Sequence, residues 1–459
     1  MHRLKKSVDM TQGPFLKKMI AFAIPLVISG LLQSLYNAAD LVIVGRYRGD
    51  VALAAVGSTG AISTLTVGLF MGLAVGAGVS VAHHIGAKEL YEVKKVVHSS
   101  LLISAILGVI IAVAGFFAAE GLLRWMDTPE TVIAHAALYM KIIFLGVPAS
   151  MVFNYAAAMI RSAGDSRRPM IFLAISGLAN VLLNVIFVKY FGMGVDGVAI
   201  ATIVSQYLSA AMSLAYLFKT SGPLRISIKN MRLDWQKVKK ILYIGVPSGL
   251  QTSLFSFSNV LIQSSINSFG ESVVAGTAAS SNIESFLYVA MNAIYHVSLT
   301  FIGQNAGARK FKNIRRLTAY SAMIVSVIGI GMGLLLILLR YPLLGLYVST
   351  PEAMDAALQR FMIIVPTYFL CGLMDVFCGG LRALDRSVSA MIISLIGACG
   401  LRILWIETVF KLNPSPQSVF ISYPVTWLIT ASCHLLFMIF TARKLLRESE
   451  RSKEYITVT

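Results

Sequence analysis

Asp40 is a carboxylate inside an apolar stretch, FLKKMIAFAIPLVISGLLQSLYNAADLVIV, that runs from Phe15 to Val44. With Gln33, Tyr36 and Asn37 it follows the spacing i, i+3, i+4, i+7, which places four polar groups on one face of a helix. An ionised carboxylate at the centre of a bilayer costs roughly 2.5–3.5 kcal/mol on the insertion scale, so this face belongs against a cavity rather than against lipid. The chemistry open to such a group is reversible binding of a proton or a small cation. Two carboxamides, Asn180 and Asn184 in GLANVLLNVIF, stand one helical turn apart and share a face. They can supply oxygens to a cation beside Asp40 or hold a proton on it; intramembrane asparagines also bind helices to one another. A site for a proton or a small cation at Asp40, Asn37, Tyr36, Asn180 and Asn184 is the expectation, with no cofactor and no metal beyond Na⁺ at Asp40 and Asn180. Pro25 removes a backbone hydrogen bond upstream and predicts a hinge in the same helix.

The second half of the chain carries Asn282 and Glu284 in ASSNIESF, Asp375 in GLMDVFCGG, and Arg402 and Glu407 in CGLRILWIETVF. These permit two readings. Arg402 can form one buried ion pair with Asp375 or Glu284 and so position helices, or an acid can be left to meet a cationic substrate. Gln33, Asn282, Glu284, Asp375 and Arg402 are accordingly the candidate substrate-binding residues. Glu407 belongs near the outer interface, and Lys141 and Arg360 fall in opening turns from which long side chains can reach water. Gly68, Gly72 and Gly76 form a small-residue ridge that predicts close helix packing. His83 and His84 diverge by about 100° on a helix and make a poor metal site. Cys371, Cys378, Cys399 and Cys433 lie in apolar segments without C-x-x-C spacing and read as small core residues.

The elements that hold these groups follow from composition. Of 459 residues, 57% are hydrophobic and 13% charged, with a mean hydropathy of +0.76; soluble chains carry about 25% charged residues. A net charge of +18 does not imply nucleic acid here, because the charges cluster between apolar runs. At about 20 residues per span, twelve spans are expected, near 15–44, 52–82, 96–119, 134–160, 169–189, 194–218, 239–267, 273–303, 317–339, 356–381, 387–410 and 418–441. Thirty of the 39 Lys and Arg fall on one set of alternate loops and only six on the other, which puts both termini in the cytoplasm. The chain also repeats. Pro25 and Asn37 meet Pro247 and Asn259 at an offset of 222, and Lys88 and Arg161 meet Arg309 and Arg382 at 221. The fold class is thus all-α and membrane-integral, with two pseudo-symmetric six-helix lobes, 1–218 and 239–445. A basic linker at 219–238 should hold a short interfacial amphipathic helix, and a tail follows at 446–459. At the position of Asp40 the second half has Ile262, so packing common to both lobes does not require the carboxylate.

The residues resemble a family. Pro25-Leu26, Gln33, Tyr36-Asn37, Asp40 and Gly45, the loops IGAKE and QNAGARK, IRSAGDS at 160–166 and NVLLNVIFVKYFGMGVDGVAIAT at 180–202 are similar to the multidrug and toxic compound extrusion (MATE) transporters. AGTAASSNIESF, DVFCGGLRAL and GACGLRILWI extend the likeness, which covers residues 11–445. The resemblance implies a V-shaped pair of six-helix bundles, acting as a monomer in a lipid bilayer and exporting small organic cations against H⁺ or Na⁺. It also implies that Asp40 is the coupling carboxylate and Asn180 its partner. Three departures stand out: Asn184 replaces an acid common in the family, Phe255, Ser256 and Ser258 occupy the place of another branch's acid, and LRALDRSVSA lacks the glycine and proline of RSAGDSRRP. A rival of the same superfamily, a flippase for lipid-linked saccharides, wants a more cationic cavity. A membrane-embedded transferase wants paired acids such as D-D-x-x-D, which the sequence does not contain.

Overall fold

The computed structural model describes residues 9–126 and 128–451, apart from the side chains of residues 50 and 61. The basic residues expected at the extreme N-terminus (Arg3, Lys5 and Lys6) and the last eight residues of the expected tail lie outside the described residues.

The chain is an all-α membrane protein with twelve long helices among the described residues. In order they are α1 (Phe15–Gly49), α2 (Val51–Gly86), α3 (Leu90–Trp125), α4 (Glu130–Ser162), α5 (Arg167–Tyr190), α6 (Val195–Lys219), α7 (Trp235–Asn267), α8 (Glu271–Gly307), α9 (Phe311–Leu338), α10 (Pro351–Thr367 continued as Phe369–Ala383), α11 (Ser387–Phe410) and α12 (Pro416–Arg451). Ten are individually long and apolar enough to cross a membrane, and α10 joins them when its two arms, bent by 44°, count as one. The bend falls where Pro366 sits in a 3₁₀ turn, Val365–Thr367, because proline withholds the N–H that would continue the helix. α7 is 33 residues long but less apolar: its second half, QTSLFSFSNVLIQSSIN, is rich in Ser, Thr, Asn and Gln.

The helices group into two units whose boundaries differ from the contiguous lobes expected. One unit is residues 28–249; the other is residues 9–27 together with the chain from Leu250 onward. Both crossings have a physical cause. The first half of α7 joins the first unit through glycines: a Cβ on Gly72 would lie 2.3 Å from the backbone N of Gly249, and one on Gly76 would lie 2.0 Å from the carbonyl of Ile241. The glycine ridge of α2 is thereby used as close helix packing. The start of α1 joins the second unit because Met10, Phe15, Met19, Phe22 and Leu26 are buried in its core, while Asn305 Nδ2 donates to the carbonyl of Met10 at 2.8 Å. α1 runs through Pro25 as a continuous helix. The unit boundary follows two residues after Pro25 and two after Pro247.

The linker contains no amphipathic helix. Residues between α6 and α7 form only the 3₁₀ turn Ile228–Asn230 and lie along α3, where the N–H of Ser227 donates to His98 Nε2 at 3.1 Å and that of Asp234 to Ser99 Oγ at 3.0 Å. With its backbone groups satisfied by α3, the segment has no need to form a helix of its own.

The repeat is written into the backbone at helix ends. Lys88 (φ 61°) and Arg309 (φ 53°) are both left-handed, as are Gly164 (φ 95°) and Asp385 (φ 61°). Each is followed by a 6→1 hydrogen bond, Glu89 N to His84 O, Lys310 N to Asn305 O, Asp165 N to Ile160 O and Arg386 N to Leu381 O. These four Schellman closures end α2, α8, α4 and α10 in the same way.

Candidate functional site

Within the first unit α1 rides on α5, and glycine makes this possible. The ring of Tyr36 fills the notch at Gly177, where a Cβ would come within 1.7 Å of Tyr36 Cε2. The Tyr36 hydroxyl donates to the carbonyl of Ala174 at 3.1 Å. Further along both helices, Asn184 Nδ2 donates to Asp40 Oδ1 at 2.5 Å. Beyond that, Arg48 Nη2 donates to the carbonyl of Val188 at 2.7 Å. The contacts step in the same direction on the two helices, so Asp40 is delivered to the carboxamides by a seam anchored on either side.

The polar cluster continues inward. Asn184 Nδ2 also reaches Asn180 Oδ1 at 3.3 Å, Asn180 Nδ2 reaches Thr202 Oγ1 on α6 at 3.4 Å, and the Thr202 hydroxyl donates to the carbonyl of Val198 at 2.9 Å. Asn180 and Asn184 are buried. Asn184 Oδ1 is buried without a hydrogen-bond partner among the described residues, a costly state for an amide oxygen. Immediately after Asn184 the helix loosens into a π-turn, Val185–Tyr190, a feature often found beside functional residues. Tyr139 of α4 is an electrostatic neighbour of Asp40.

The structure therefore brings together Asp40, Asn180 and Asn184. It gives Tyr36 a different task, clamping α1 to α5. Gln33 and Asn37 are exposed on α1. Thr202 and Tyr139 escaped sequence reasoning because a threonine or tyrosine in an apolar helix has no spacing signal of its own.

The second unit corrects three expectations. Glu284 pairs with Arg360, not Arg402: Arg360 Nε donates to Oε1 at 2.9 Å and Nη2 to Oε2 at 2.8 Å, with Ser280 Oγ donating to Oε1 at 2.7 Å. Arg360 is buried over the rings of Phe420 and Tyr423 and does not reach toward water, because a bidentate acid lies within its length. Arg382, which the count of alternating charges assigns to a cytoplasmic loop, is buried at the end of α10, donating to the Tyr295 hydroxyl at 2.6 Å and to Gln251 Oε1 at 2.8 Å.

Asp375, half-buried, has the Tyr288 hydroxyl and the Arg382 charge as polar neighbours. Asn282 is exposed, and Glu407 is exposed and paired with Lys411. Cys371, Cys378 and Cys399 are buried thiols, whereas Cys433 is exposed. Among the described residues no group of three or more His, Cys, Asp or Glu is arranged to hold a metal ion.

Comparison with known proteins agrees with this architecture. A family model described as MatE matches residues 25–186 and again residues 247–406, the two copies of the repeat. The chain is 27% identical over 394 residues to the probable multidrug resistance protein YoeA of Bacillus subtilis, covering 84% of this chain and 85% of that one. It is 23% identical over 402 residues to the FAD transporter of Shewanella oneidensis, covering 85% and 87%. A solved structure described as the outward-facing conformation of a multidrug resistance MATE family transporter superposes with a TM-score of 0.90 at 22% identity, covering 96% of this chain and all of that one.

Proposed function

The chain belongs to the MatE family, and from that premise we propose that it exports small organic molecules across a bacterial inner membrane in exchange for inward H⁺ or Na⁺ bound at Asp40. It is a transporter rather than an enzyme. The observation that carries the coupling site is Asn184. Its Nδ2 is committed to Asp40 and Asn180, while its Oδ1 is buried without a partner.

That arrangement suits an ionised Asp40, which only accepts. A protonated Asp40 becomes a donor and needs an acceptor, and a half-turn of the Asn184 carboxamide supplies one from the atom that is now unsatisfied. The same turn withdraws the Asn184 N–H groups from Asn180 Oδ1 and presents an oxygen there, so Asn180 must turn its own N–H groups toward Asn184, and proton uptake on α1 is passed to α5 and then to Thr202 on α6. For Na⁺ the donor set is one carboxylate and the amide oxygens of Asn180 and Asn184, which fits a weakly held coupling ion but brings a single negative charge. The loss of the second acid at position 184 therefore favours H⁺.

Cationic export further requires a carboxylate free to face the substrate. Glu284 is occupied by Arg360, which leaves Asp375 for that role. The test of coupling is Asp40→Asn in proteoliposomes, with proton and sodium gradients imposed separately and tetramethylrhodamine methyl ester as the exported dye. Gradient-driven export should vanish while dye binding persists. Export at the wild-type rate under both gradients overturns the site. Orientation is tested in the same vesicles in a Cys433→Ser background: cysteines at Lys88, Arg167 and Lys310 should label only from the cytoplasmic side.

A further inference from the structure

Arg402 is a guanidinium without an acid. It is 6% exposed, and no carboxylate among the described residues lies within ion-pair distance of it. Its contacts are long for hydrogen bonds: Nη1 stands 3.5 Å from Asn259 Oδ1 and Nη2 3.4 Å from Thr426 Oγ1. Nε is buried with no partner. The guanidinium lies over the Tyr423 ring at 4.1 Å from its centroid, and Arg360 takes the same ring at 5.3 Å. Of these two cations sharing one ring, only Arg360 has its carboxylate.

The interior of this unit shows the same imbalance. Of its three buried guanidiniums, Arg360 has Glu284, Arg382 is held at short distance by the Tyr295 hydroxyl and Gln251 Oε1, and Arg402 has only its two long contacts. A buried guanidinium lacking an acceptor is costly, and its planar fork is shaped to receive two oxygens of one carboxylate. Access exists on one side, since Asn259, the partner of Nη1, is exposed on α7.

We propose that Arg402 recognises a carboxylate on the transported molecule, which enters beside Asn259 and replaces two weak contacts with a bidentate pair. The substrate class is then zwitterionic or anionic organic solutes rather than cations alone. This inference rests on the export reading above and names the substrate chemistry for it.

Binding without a gradient separates the two. Full-length protein in phosphatidylcholine nanodiscs is titrated, by fluorescence polarisation, with tetramethylrhodamine, which bears a free carboxylate, and with its methyl ester, which has the same rings without that charge. The wild type should prefer the acid. Arg402→Gln should weaken the acid at least tenfold and change the ester less than twofold. Arg402→Lys keeps the charge but loses the fork, so it should weaken the acid selectively by a smaller factor; it also serves if Arg402→Gln does not fold. An acid-to-ester affinity ratio unchanged in the folded variants, or a wild type without preference, overturns the proposal. Because the readout needs no ion gradient, failure here leaves Asp40 coupling standing, and failure of coupling leaves this preference standing.

Discussion

The seams between α1 and α5 and between α7 and α11 occupy equivalent places in the two repeats, yet they carry opposite chemistry. At an offset of 222, Asp40 corresponds to Ile262, and Arg402 stands one residue beyond the counterpart of Asn180 at the offset of 221 that Arg161 and Arg382 set. Ile262 is packed in the core of its unit, whereas Asp40 is held by Asn184. The first seam thus presents a carboxylate cushioned by amides, and the second presents a guanidinium cushioned by an aromatic ring. Since both units close their helices with the same left-handed caps, the polarity of the seam is independent of what the fold needs. Duplication supplied the scaffold, and the charges were then free to diverge: an acid at the proposed coupling site, and a base at the proposed carboxylate site.

The comparison is most sharply broken at the second unit's own acid. If Glu284 is structural, Glu284→Gln strands Arg360 and should cost about 3–5 kcal/mol of stability, seen as a lowered unfolding temperature of the purified protein. Replacing both partners by methionine should recover most of it. A stable Glu284→Gln protein with weakened substrate binding would instead make Glu284 a recognition residue.

In the first unit, Asn184→Ala removes the donor that Asp40 accepts from and should cost about 1–3 kcal/mol through an unsatisfied buried acceptor. Coupled export should fall by about tenfold or more for each 1.4 kcal/mol that appears in the transport barrier. Gly177→Ala tests the seam itself. A methyl group there meets the Tyr36 ring, and an overpacked contact costs about 1–3 kcal/mol. Export should drop although neither Asp40 nor Asn184 has changed. Wild-type export in Gly177→Ala would mean that α1 need not sit on α5 as described.

Much of this was legible in the sequence for reasons that can be named. Twelve helices followed from hydropathy, because backbone in lipid must satisfy itself. Asp40 with Asn180 and Asn184 followed from helical spacing and the high cost of a charge in a span. What was hidden depends on distance across the fold rather than along the chain. Arg360 and Glu284 are 76 residues apart, and no periodicity joins them. Arg382 looked like a loop charge because α10 buries its last turn, which hydropathy cannot distinguish from a helix end in water. The linker misled for the opposite reason: LRISIKNMRLDWQKVKK mixes basic and apolar residues as an interfacial helix does, but α3 offers its backbone better-placed partners at His98 and Ser99. The crossing of residues 9–27 into the second unit has no signal in composition, since an apolar helix fits either core.

The smallest expected effect probes whether the two repeats share a backbone and differ only in side chains. Gly164 and Asp385 hold the same left-handed cap, ending α4 and α10. Glycine adopts that conformation without strain. An aspartate does so at a penalty within the roughly 1–2 kcal/mol typical of L-residues, reduced because its short polar side chain can bond locally. Asp385→Gly should therefore raise stability by at most about 1 kcal/mol, the relief of strain being partly offset by the greater freedom of glycine in the unfolded chain. Gly164→Ala should lower it by about 1–2 kcal/mol, since alanine meets the same strain with no polar group to compensate. Thermal unfolding of both purified variants measures the pair. Opposite signs are the signature of one cap used twice. If Asp385→Gly is destabilising, the Asp385 side chain contributes more through its contacts than its backbone loses to strain, and the second cap is a specialised site rather than a worn copy of the first.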